Sequence, residues 1–100
     1  MTTETAQFDA DYENVPEHLR DGLRAWVEIG RPPGGFLMAV LQNDLVGAFG
    51  RADEKSTAGL KYVVMWLYNR APSGCWGSPE NVRDWLKMHE ERHRMDEEAR

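Results

Sequence analysis

The sequence predicts an all-α fold, a compact four-helix single domain, and three observations carry that expectation. Apolar residues recur at spacings of three and four through most of residues 15–89. Prolines and small polar residues stand where these runs begin, and glycines where they stop. A length of 100 residues suits one domain with one modest core, and not two.

The first helix opens at Asn14-Val15-Pro16, with proline expected at the first helical position because its missing N–H has no partner to lose there. Leu19, Leu23, Trp26, Val27 and Gly30 form one stripe, and Gly30 ends it before the connector Arg31-Pro32-Pro33-Gly34-Gly35. A second helix is expected over about residues 36–49. It has Phe36, Leu37, Val40, Leu41, Leu45, Ala48 and Phe49 on a wide apolar face, Asn43 and Asp44 as a polar interruption, and Gly50 as C-cap.

The third helix takes Asp53 as N-cap and Glu54 in its first turn, where negative charge suits the helix dipole. From Leu60 to Tyr68 it is apolar nearly all round, which places it at the centre of the fold. The same run is β-branched and aromatic enough to read as a short strand, although the cap and the length favour a helix. Residues 71–77 read as a loop, and Ser78-Pro79 opens a fourth helix through Val82, Trp85, Leu86 and His89. Residues 1–14 are expected to be a disordered acidic tail, residues 15–89 the helical domain, and residues 90–100 a charged helical extension that frays.

The composition is 41% apolar, and the formal net charge of −5 is unevenly placed. Four acids and no base lie in residues 1–15, and five acids with three bases in residues 89–100, which leaves +1 for residues 16–88. A body this close to neutral lacks the basic surface that duplex nucleic acid requires, so no duplex partner is expected. A pocket for a small anion needs only two or three arginines and stays open. Cys75 is the single cysteine, which excludes an internal disulfide and suits a reducing compartment. No stretch approaches the ~18 apolar residues of a membrane span. A cytoplasmic protein is expected, in contact with no membrane.

His89-Glu90-Glu91-Arg92-His93 matches H-E-x-x-H, which on a helix can set two imidazoles on one face beside a general base. A catalytic zinc needs a third protein ligand, and only seven residues follow His93, all in a highly charged tail. The pair is therefore expected on an exposed helix with no metal, cofactor or enzyme activity attached. Cys75 lies in Gly74-Cys75-Trp76-Gly77, where a small, semi-buried loop residue is expected and not a nucleophile.

Trp66, Tyr68 and Trp76 lie within eleven residues, beside Asn69 and Arg70. Stacking rings close to a guanidinium and an amide are the ingredients of a nucleotide site. Gly34 and Gly35 lead into a helix and leave backbone N–H groups free for a phosphate, although the lysine and the spacing of a P-loop are absent. The candidate ligand set is Arg31 and Arg70 for phosphate, with the backbone of Gly34 and Gly35. Trp66, Tyr68 and Trp76 supply stacking, and Asn43 or Asn69 the base or ribose edges.

Five blocks also carry a likeness. They are Val15-Pro16-Glu17-His18-Leu19-Arg20-Asp21-Gly22-Leu23, Arg31-Pro32-Pro33-Gly34-Gly35-Phe36-Leu37, Asn43-Asp44-Leu45, Gly50-Arg51-Ala52-Asp53 and Gly74-Cys75-Trp76-Gly77-Ser78-Pro79-Glu80. Over about residues 14–88 the chain resembles a group of short proteins of tailed phages and prophages. The blocks contain no catalytic signature. The resemblance implies a counter-defence factor in an infected bacterial host, one that sequesters a nucleotide immune signal of the cyclic dinucleotide or cyclic ADP-ribose type without cleaving it. The alternative is a small helical inhibitor or adaptor acting on a host protein. Four tryptophans and three phenylalanines are many for so small a core, and the surplus suggests a homo-oligomer.

Overall fold

Five α-helices and one 3-10 turn make up residues 12–99, which are the residues described by the computed structural model. They are α1 (Glu17–Ile29), α2 (Gly35–Leu41), α3 (Leu45–Arg51), α4 (Glu54–Arg70), the turn Ser73–Cys75 and α5 (Pro79–Ala99). No strand occurs among the described residues, so the fold is all-α, with one more α-helix than the four expected. Residues 1–11 of the expected tail lie outside the described residues. Its last three, 12–14, form a helical turn, and the Tyr12 ring packs against Trp66 with centroids 6.0 Å apart.

The extra helix comes from Asn43 and Asp44, which do more than interrupt an apolar face. Asn43 takes φ 63, a left-handed conformation that asparagine tolerates better than most residues. Its turn sends the Asp44 N–H back to the Ala39 carbonyl at 2.8 Å, closing α2. The Asp44 carboxylate then accepts from the Gly47 N–H at 2.9 Å and starts α3. Gly50 is consequently an interior residue of α3, not a C-cap; the C-cap is Ala52, whose N–H donates to the Phe49 carbonyl at 3.3 Å. At the other end of the chain order, Pro16 stands at the N-cap of α1 instead of the first helical position.

Three local expectations hold. Gly30 ends α1 at φ 69, and a side chain there would come within 2.5 Å of the His89 Cβ. Asp53 caps α4 through the Ser56 N–H at 2.7 Å, and Ser78 Oγ accepts from the Asn81 N–H at 3.1 Å at the start of α5. Residues 60–68 are helical. They are not buried all round, however: Val63, Trp66 and Leu67 face the core, whereas Val64, Met65 and Tyr68 are exposed on the far side. A helix turns about 100° per residue, so apolar composition alone cannot bury both faces when neighbours cover only one.

The core joins α1, the 3-10 turn and α5 through Trp26, which is fully buried. Its indole N–H donates to the Cys75 carbonyl at 2.9 Å, and its own carbonyl accepts from the Trp85 indole N–H at 2.9 Å. Cys75 is fully buried rather than semi-buried. Desolvation pushes its thiol up to about 11, so no thiolate forms there at neutral pH.

His89 departs from its expected exposed position. It is 4% exposed, lies against Gly30 and meets the Trp85 ring edge-on at 5.0 Å, and its Nε2 has no hydrogen-bond partner. His93, one turn on, is exposed, so the two imidazoles do not share an accessible face. No cluster of three metal-ligating side chains occurs among the described residues. Burial first, then the charge of Arg92 and His93, holds the His89 imidazole below its ordinary 6.5. The unfolded chain therefore binds the proton more readily, and the stability His89 contributes is complete above about pH 6.5 and lost as pH falls below it. Urea midpoints are expected to drop between pH 7.5 and 5.5 in the wild type, and to change less in His89→Leu. An equal drop in both would remove His89 as the cause.

Candidate functional site

A cavity of about 320 Å³ lies where α1, the start of α2, the end of α3 and the start of α4 meet. It is lined by His18, Leu19 and Gly22 from α1, Gly34 to Leu37, Arg51, Asp53 and Ser56. This is the lower end of the size range of small-ligand sites. The residues arrive there for local reasons. Gly34 is the N-cap of α2, and no side chain caps that helix. Arg51 closes α3, with its guanidinium on the Gly47 carbonyl at 3.3 Å. Asp53 and Ser56 are the cap and first turn of α4. A Cβ at Gly35 would lie 2.9 Å from the Arg51 Cδ, so the arginine stem passes directly over bare backbone.

Below the arginine, His18 Nε2 lies 3.0 Å from Ser56 Oγ and 3.9 Å from the Asp53 carboxylate. Hydrogen bonding from the Ser56 backbone and hydroxyl holds the Asp53 carboxyl below its usual range. The three side chains have the composition of a nucleophilic triad without its geometry. A triad sets the acid and the hydroxyl on opposite ring nitrogens, whereas here both approach Nε2. Ser56 is also 4% exposed and its N–H is tied to Asp53. The cluster fixes the start of α4 against α1 and offers a cavity one guanidinium, one imidazole and one carboxylate.

His18 also borders a broader groove of about 780 Å³ along α1 and α4, lined in addition by Glu17, Asp21, Lys55 and Tyr62. Two acids against one lysine make that groove a poor place for a phosphate. A third, small cavity of about 100 Å³ lies between α3 and α4, with Asn43, Asp44, Leu45, Val64 and Trp76 in its wall.

The predicted ligand set does not assemble. Gly34 and Gly35 line the α1–α4 cavity, and Asn43 and Trp76 share the small one. Trp66 is a core residue, 2% exposed, packed on Tyr12, while Tyr68 is 79% exposed. Two residues apart on one helix, these rings point to opposite sides and cannot stack on one ligand. Arg31 and Asn69 are exposed and Arg70 is half-buried at the end of α4; none lines any of these three cavities. The residues missed were His18, Arg51, Asp53 and Ser56. Asp53 was legible as a cap, but nothing local ties it to His18 across 35 positions of chain. No helix of the described residues is long and apolar enough to cross a membrane. Comparison with family models, curated proteins and solved structures found no match, so the site rests on its own geometry.

Proposed function

We propose that the chain binds a nucleotide in the α1–α4 cavity and sequesters it without cleaving it, the role implied by its resemblance to small phage proteins. The carrying observation is the exposed Arg51 side chain, which lies against Gly35 in the wall of a cavity also lined by His18 and Asp53. A guanidinium on such a wall offers a phosphate charge-assisted bonds. Asp53 and His18, which line the same cavity, suit the hydroxyls and ring edges that the rest of a nucleotide presents. The phosphate role thus passes from Arg31 and Arg70 to Arg51, and the glycine role stays with Gly34 and Gly35.

The test is a thermal-shift screen against cyclic dinucleotides, cyclic ADP-ribose isomers and ADP-ribose, with AMP and GMP as controls. A ligand at 100 times its dissociation constant adds about 2.7 kcal/mol, roughly 10–20 °C in a domain this small. Arg51 is exposed, so Arg51→Ala should keep the fold and weaken binding at least tenfold. No shift with any nucleotide, or unchanged affinity in Arg51→Ala, rules the reading out. Recovery of the ligand intact separates sequestration from cleavage. A second reading, an adaptor for a host protein, is favoured by the exposed apolar side of α3 and α4.

A further inference from the structure

We infer that the outer face of α3 and α4 is the interface at which two copies of this chain pair. Its side chains are Leu45 (61% exposed), Val46 (83%) and Phe49 (49%) on α3, and Val64 (38%), Met65 (41%) and Tyr68 (79%) on α4. Leu45 and Val64 share the wall of the small cavity between the two helices, so the two sets adjoin. Phe49 follows Leu45 by one turn and Tyr68 follows Val64 by one turn, which extends the face along both axes.

Area and charge together select a second copy as the occupant. A large side chain presents about 150–250 Å², so these exposed fractions amount to roughly 600 Å² of mainly apolar surface per chain. That is the upper end for the largest patch of a monomer and meets the ~1,200 Å² total at which specific interfaces begin. The chain carries −5, so two copies repel wherever their acids meet. This face presents few acids. Lys61 is the one charged residue among the exposed positions of α4 from 57 to 69. Asp44, in the wall of the small cavity, has its carboxylate turned to the Gly47 N–H as the cap of α3. A twofold pairing makes the patch self-complementary, with α3 of one protomer against α4 of its partner. The small cavity between the helices then takes an apolar side chain from the partner.

Sedimentation equilibrium of the full chain from about 1 to 100 micromolar tests this directly. The expected mass is twice 11.5 kDa, falling to 11.5 kDa for Val46→Glu and for Tyr68→Glu, with at least a hundredfold weaker association. Both side chains are mostly solvent-exposed, so helix content by circular dichroism should be unchanged in each variant. A urea midpoint close to that of the protomer alone is the second readout of intact fold in each variant. A single-chain mass for the wild type across the range overturns the inference and leaves the face to a foreign protein. A dimer that survives both substitutions overturns it as well, by placing the contact elsewhere.

Discussion

Trp26→Ala is expected to destabilise the protein by about 4 kcal/mol, the middle of the range for truncating a buried tryptophan. Small domains have only about 5–15 kcal/mol in total, so this substitution should leave the fold marginal. Two effects add. The fully buried indole leaves a large void, because the surrounding core can relax only in part. The Cys75 carbonyl also loses the indole N–H that it accepts at 2.9 Å. Trp26→Phe separates the two, since it fills most of the void and removes only the donor; a cost of about 1–2 kcal/mol is expected. Urea unfolding followed by far-ultraviolet circular dichroism measures both. Equal losses for alanine and phenylalanine would show that the hydrogen bond, and not the volume, dominates.

Gly59→Ala is the second large effect, and its direction opposes the intrinsic preference of the helix. Alanine is favoured over glycine in a helix interior by about 1 kcal/mol. At position 59, however, a Cβ would overlap the ring of Pro16. That ring cannot rotate aside, and Val15 next to it is fully buried, so the strain must spread into the α1–α4 packing. A net loss of about 2–3 kcal/mol is expected, a fall of roughly 10–20 °C in the thermal midpoint. Combining it with Pro16→Ala removes the overlapping ring atoms and should restore most of the loss. Simple additivity of the two substitutions would show that the close approach carries no energetic weight.

What the sequence revealed follows from how far each interaction reaches. Gly30, Asp53 and Ser78 were legible because each satisfies backbone groups within four residues of itself. The Asn43-Asp44 break was visible as a polar interruption, but its outcome depended on the left-handed turn at Asn43. The failed stacking set is instructive, since assigning residues 60–68 to a helix already sets Trp66 and Tyr68 about 200° apart. Burial of His89 and the meeting of His18 with Ser56 were not legible. Each depends on two helices docking, and local periodicity carries no record of which helices meet. The same holds for α4, whose composition marked it as apolar without saying which side would be left uncovered.

The last turns of α5 are held differently from the rest of the helix. From Glu90 to Glu98 every residue is exposed, while His89, just before them, is locked against Gly30. Amides around buried Val82 and His89 are expected to exchange more slowly, through larger openings of the domain. Those beyond His89 are held by helical hydrogen bonds and by spacings such as Glu90–Arg94 and Arg94–Glu98, each worth only tenths of a kcal/mol. Hydrogen exchange is expected to show residues 90–98 melting and re-forming as an isolated helix does, with the domain still folded. Limited proteolysis is expected to trim residues 90–98 and to stop at His89, which lies against Gly30.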